Sequence, residues 1–271
     1  MMSDKRTSLE HNGTTDPNTL HREITIATLS PEMFEQVYLA PKTATRGDLR
    51  QTFGNPTPIA VVGLCIGLTP LSIELMGWNG AGGQTATVGA NWWFGGMLLT
   101  LSGIGEFILG NTFPSVVSLS YGCHFLTFAS TYTPSFAAIS SFNADGSQTP
   151  TRPFLASFGF YLLFMSLLSL IFLVCSLRTN AVFAVVFSSA TIGFSCGAGA
   201  FCHLSYGNIS MGQRLLVATG GCFFVSCIAG WYLLFAIMMT AVDMPFVVPV
   251  CDLSTLIKGM NERKKSLDAT E

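Results

Sequence analysis

Residues 154–176 read FLASFGFYLLFMSLLSLIFLVCS, a run without one acidic, basic or histidine side chain. At a rise of ~1.5 Å per residue, a helix of that length crosses the ~30 Å hydrocarbon core of a bilayer. The same character continues in both directions along the chain. Between Asn55 and Asp243 the only Asp, Glu, Lys or Arg residues are Glu74, Glu106, Asp145, Arg152, Arg178 and Arg214. A soluble domain of that length would carry charge at about a quarter of its positions. With 10% charged residues and a mean hydropathy of +0.51, the 271-residue chain reads as a membrane protein. Its net charge of −2 gives no reason to expect nucleic acid or any strongly charged partner.

Six apolar segments of near-spanning length run over 56–77, 91–112, 115–139, 154–176, 181–203 and 214–240. They predict an all-α membrane protein of six transmembrane helices, a unit covering 55–243. Residues 1–54 form a polar N-terminal tail, in which Ile24 to Ala40 holds a possible amphipathic helix capped by Ser30 with Pro31 in its first turn. Residues 244–271 form a second tail. No cleaved secretory signal is expected.

Basic residues near the span ends set the orientation. With six spans, Lys42, Arg46, Arg50, Arg178, Lys258, Arg263, Lys264 and Lys265 share one side, and Arg152 and Arg214 lie on the other. That bias puts both termini in the cytoplasm.

Eight cysteines stand at 65, 123, 175, 196, 202, 222, 227 and 251, none in a C-x-x-C pair. They read as small polarizable packing residues. Cys202-His203 lacks further ligands at metal spacing, so neither a metal nor a cofactor is expected.

Within the apolar body a few residues stand out chemically. Asn55-Pro56-Thr57-Pro58 opens the first span. This is a good helix start, and equally a place where free amide groups would meet an anion. Glu106 sits deep in the second span, where a carboxyl group costs a few kcal/mol unless protonated or partnered. Asn111, Thr112 and His124 are its candidate partners nearby in sequence. Tyr121 lies two turns into the third span, with His124 near the same face.

The ordered set Asn55-Pro56-Thr57-Pro58, Gly105-Glu106-Phe107, Gly110-Asn111-Thr112-Phe113 and Ser120-Tyr121-Gly122 resembles the acetate uptake transporter family. The similarity runs from about Phe53 to Tyr232, and the long polar N-tail is like the fungal branch. The resemblance implies a plasma-membrane homohexamer of six-helix protomers, each with its own path for small monocarboxylates, and no enzyme activity. It also implies a mid-membrane constriction at Leu64, Tyr121 and Ala190. This chain departs from the family pattern at Leu64 and Ala190, and at Thr57, Ala60 and Pro114.

The residues fit a permease for weak acids, because no span has a Lys or Arg in its interior that would trap an anion. Acetate, or bulkier propionate and lactate, would meet Asn55, Pro56, Thr57, Asn111, Thr112 and the Tyr121 hydroxyl. It would then cross the neck with a proton, with Glu106 and His124 proton-linked or structural. Two alternatives stay open: an ammonia or ammonium exporter lined by His124, and a membrane acetate sensor whose tails signal.

Overall fold

The computed structural model describes residues 52–246, 248–251 and 253. The amphipathic helix expected in Ile24 to Ala40 lies outside them. Among the described residues there are helices and turns but no strand.

Helix α1 is Thr57–Met76, ended by Gly77 in the left-handed region at φ 74°. Helix α2 is built of three consecutive pieces: Val88–Ala90, a π-helical stretch Asn91–Leu98, and Leu99–Ile108. Gly95 and Gly96 lie in the widened stretch, and the Thr100 hydroxyl donates to the Gly96 carbonyl at 2.7 Å. Such a bond satisfies a carbonyl that the wider turn presents poorly. Helix α3 is Thr112–Tyr132, α4 is Arg152–Ser176, α5 is Ala181–Ser205 and α6 is Ile209–Ala241. Asn180 and Asn208 cap the last two, accepting from Phe183 N at 2.9 Å and Met211 N at 3.2 Å.

Four of these helices, α1, α4, α5 and α6, are long and apolar enough to cross a membrane. Helix α2 is divided, and α3 carries Ser115, Ser118, Ser120, His124 and several threonines along its length.

Helices α1 to α3 pack on one another, α5 packs against both α4 and α6, and α1 against α6 joins the two sets. Lipid gives no hydrophobic drive for helices to associate, so close backbone approach and polar contacts carry the packing. At Gly67 an added Cβ would lie 3.0 Å from the Gly95 Cα, so α1 and α2 touch backbone to backbone. The Trp231 indole donates to the Thr69 hydroxyl between α6 and α1. Beyond α6 the chain returns to the α4–α5 turn. Ala181 N donates to Cys251 O at 2.9 Å and Leu253 N to Thr179 O at 3.0 Å. Val250 is buried there against Val61, Leu233 and Ile237.

Candidate functional site

At one end of the bundle the three short motifs become a single knot. The turn between α2 and α3 closes first. Asn111 N donates to Glu106 O and Gly110 N to Phe107 O, with Gly110 at φ 78°. This is the Schellman pattern, which needs a left-handed residue at its corner. It leaves the Asn111 side chain free of capping duty, and its Nδ2 donates to Glu106 Oε2 at 2.6 Å.

The other carboxylate oxygen of Glu106 accepts from the Thr57 hydroxyl at the start of α1. Asn55 Oδ1 accepts from Thr57 N at 3.0 Å, and the Ser102 hydroxyl donates to Pro56 O at 2.7 Å. The fit is close: a Cβ at Gly105 would stand 2.9 Å from that of Pro56. Thr57, Glu106 and Asn111 are all buried, Glu106 at 1% exposure. The carboxyl group brackets the starts of α1 and α3 with both oxygens engaged.

From Thr57 a cavity of about 90 Å³ runs inward between the two sets of helices. It has room for several water molecules, since ~10–15 Å³ already holds one. Residues Ala60, Val61 and Leu64 of α1, Val117 and Tyr121 of α3, Phe187 and Ala190 of α5, and Phe223 and Ser226 of α6 contribute to its wall. Among the described residues no Lys, Arg, Asp or Glu lines it. Leu64, Tyr121 and Ala190 all face this one space.

Tyr121 presents its ring to the cavity, stacked nearly parallel to Phe187 and Phe194 at 6.2 and 6.5 Å. Its oxygen lies 2.8 Å from Ser169 Oγ of α4. The single Ser169 proton goes to the Met165 carbonyl at 2.8 Å, so the tyrosine donates. Among the other expected contact residues, Asn55, Pro56 and Asn111 stand behind the cavity wall in the knot, and Thr112 is exposed at the head of α3.

A second cavity of about 40 Å³ lies further along, reaching Leu75, Gln84, Tyr132 and Leu216. Three side chains line both spaces: His124, Phe194 and Phe223. They form a septum. Phe194 stands edge-on to His124 at 4.9 Å and to Phe223 at 5.0 Å. His124 Nδ1 is 2.7 Å from the Tyr161 hydroxyl of α4. Sequence reasoning singled out His124 but not Phe194, Phe223, Tyr161 or Ser169, which are ordinary members of apolar or serine-studded runs. Among the described residues no three His, Cys, Asp or Glu side chains gather as a metal would need.

Comparison with known proteins gives the following. The sequence profile of the GPR1/FUN34/yaaH family matches residues 39–255. The chain is 43% identical to the protein alcS of Aspergillus fumigatus over 235 residues, covering 85% of this chain and 86% of the relative. It is 26% identical to the acetate transporter protein patA of Penicillium expansum over 215 residues, covering 79% and 84%. The fold is like that of the bacterial acetate channel SatP, with a TM-score of 0.57 at 22% identity, over 73% of this chain and 99% of that one.

Proposed function

This chain belongs to the GPR1/FUN34/yaaH family, and on that premise we propose that it carries acetate and similar small monocarboxylic acids across a membrane. The observation that carries the reading is the pair of cavities in series between the two helix sets, lined, among the described residues, without any Lys, Arg, Asp or Glu. An ion in such surroundings would be heavily penalised, whereas an undissociated acid of a few heavy atoms would not. Carboxylic acids of pKa near ~4–5 take up their proton on an acidic face. Thr57 at the mouth offers the first hydroxyl, and the knot behind it keeps the starts of α1 and α3 in register. The acid then passes the ring faces of Tyr121 and Phe187 with Leu64 and Ala190 opposite, and crosses to the second cavity.

The protomer in this proposal has six spans, with α2 and α3 crossing beside the other four helices. Both termini are cytoplasmic, as the Lys and Arg bias supports. The six-helix unit 55–243 sits between an N-terminal tail over 1–54 and a C-terminal tail from 244. It assembles as a homohexamer in the plasma membrane, moves its acid together with a proton, and uses no cofactor.

The test is labelled acetate flux into liposomes carrying the purified full chain. Flux well above that of protein-free vesicles, competed by unlabelled propionate, is the expected result. Acetate binding without flux would replace the transporter with a sensor. Saturable movement of methylammonium in place of acetate would make it an ammonium carrier.

A further inference from the structure

The septum between the cavities is made of two phenyl rings and one imidazole. Hydrocarbon alone would close it as well as His124 does. A polar ring at mid-membrane is costly unless its nitrogens are satisfied, and such residues face the bundle interior where they have work to do. Tyr161 satisfies one nitrogen. Its hydroxyl lies 2.7 Å from Nδ1, and its ring stacks on the imidazole at 5.7 Å and 21°. Phe194 blocks rotation from the other side, standing perpendicular at 4.9 Å. Among the described residues Nε2 has no hydrogen-bond partner, and the residue borders both cavities.

We propose that His124 is the specificity-determining residue of the path. In this proposal its Nε2 exchanges one hydrogen bond with the carboxyl group of an undissociated monocarboxylic acid in transit, and Tyr161 is the positioning residue that fixes the ring. The inference rests on the acid-transport reading above and deepens it.

The chemistry works in either ring tautomer. With the Tyr161 hydroxyl donating to Nδ1, the proton sits on Nε2 and the ring donates to the carbonyl oxygen of the acid. With Nδ1–H donating to the phenol oxygen, Nε2 accepts the O–H of the acid. A carboxylic acid carries both groups on one carbon, so it is served in both cases. No covalent bond forms or breaks, and the acid leaves the septum with the proton it brought. The two phenyl rings give no such contact, so the imidazole is what separates an acid from an alkane or alkyl halide of equal size.

Two measurements on the full chain in liposomes test this. The first is the ¹⁵N spectrum of histidine-labelled protein titrated with acetate in mildly acidic buffer, where the His124 signal is identified by its loss in His124→Gln. The second is labelled acetate flux. Acetate should shift the His124 ring signal. His124→Phe should slow flux about 5-fold, the order expected for one lost hydrogen bond of ~1 kcal/mol. His124→Gln keeps a donor and an acceptor and should retain flux within about 3-fold of the wild type, on the same scale. Tyr161→Phe should move the ring signal before any acetate is added.

A ring signal that acetate leaves unmoved overturns the proposal, whatever the flux. So does wild-type flux in His124→Phe. A shifted ring in a wild-type protein that moves no acetate defeats the transport reading and leaves the His124 site standing. Wild-type acetate flux with a silent ring defeats this inference and leaves transport standing.

Discussion

Replacing Glu106 by alanine removes a group that ties α1 to the α2–α3 turn through side chains of both. Its two oxygens accept from the Thr57 hydroxyl and from Asn111 Nδ2, and both donors are buried, at 5% and 7% exposure. Alanine takes this acceptor from both. A buried hydrogen bond to a carboxyl group is worth about 1–3 kcal/mol, so the two amount to roughly 2–6 kcal/mol before any cavity contribution. In a chain of this size each kcal/mol shifts the melting midpoint by about 2–4 °C. Glu106→Ala should therefore melt at least ~4 °C below the wild type.

Glutamine is the control. Its carbonyl oxygen accepts from Asn111, and the Thr57 hydroxyl reverses to accept from the new amide. Glu106→Gln should then lose only about 1 kcal/mol. Thermal unfolding in detergent, followed by the surviving size-exclusion peak, reads both variants. The reasoning is refuted if alanine melts with the wild type, or if glutamine falls as far as alanine. Acetate uptake by the folded Glu106→Gln protein adds a second reading. Preserved uptake agrees with a bracket, and complete loss assigns the carboxyl a charge that transport requires.

Tyr121→Phe keeps the ring that faces the cavity and deletes only the bond to Ser169, whose proton already goes to Met165. It should cost about 1 kcal/mol of stability and leave acetate uptake near normal; a large fall in uptake would mean the hydroxyl reaches the acid itself. Ala190→Leu adds three heavy atoms to the wall opposite Tyr121 and should reject lactate and propionate more than acetate, which competition against labelled acetate uptake measures. Gly67→Val sets a branched side chain against the Gly95 backbone, an overpacking of about 1–3 kcal/mol or more. Its midpoint should drop several degrees in the same melting assay.

The sequence revealed those parts of the fold that follow from unbroken apolarity. The segment 154–176 is α4 from Arg152 to Ser176, and 181–203 is α5 from Ala181 to Ser205. Boundaries moved where capping outranks hydropathy. Helix α6 begins at Ile209, five residues before the apolar run that starts at 214, because Asn208 caps a polar first turn. Helix α3 stops at Tyr132 and not at 139. Pro134 follows, and the residue before a proline is driven out of the helical region, as Thr133 is at ψ 117°. The π-helical stretch at Asn91–Leu98 has no signature in hydropathy at all.

The motifs flagged Asn55, Thr57, Glu106 and Asn111 as special, and the structure brings them together. Their roles within the group were not legible from order alone, because they depend on which side chain the Schellman turn leaves unspent. Phe194, Phe223, Tyr161 and Ser169 were hidden for another reason. In a lipid-embedded chain an aromatic or serine lining a path has the same local composition as one facing a neighbouring helix.

The two bonds from α3 to α4, Tyr121 to Ser169 and His124 to Tyr161, explain how a path can stay open between helix sets that lipid does not press together. Each bond lies behind its ring, on the α4 side, and α4 itself contributes nothing to the wall of the first cavity. The hydroxyl of Tyr121 and one nitrogen of His124 are thereby used for scaffolding, while both rings still border the first cavity. A ring held from behind cannot fall into the cavity it borders. An alkyl side chain of similar volume, with no hydroxyl or nitrogen to anchor it, would be free to adopt the rotamer that fills the space. The aromatic residues with polar tips sit where the path needs a rigid wall, and plain phenylalanines complete the septum between them.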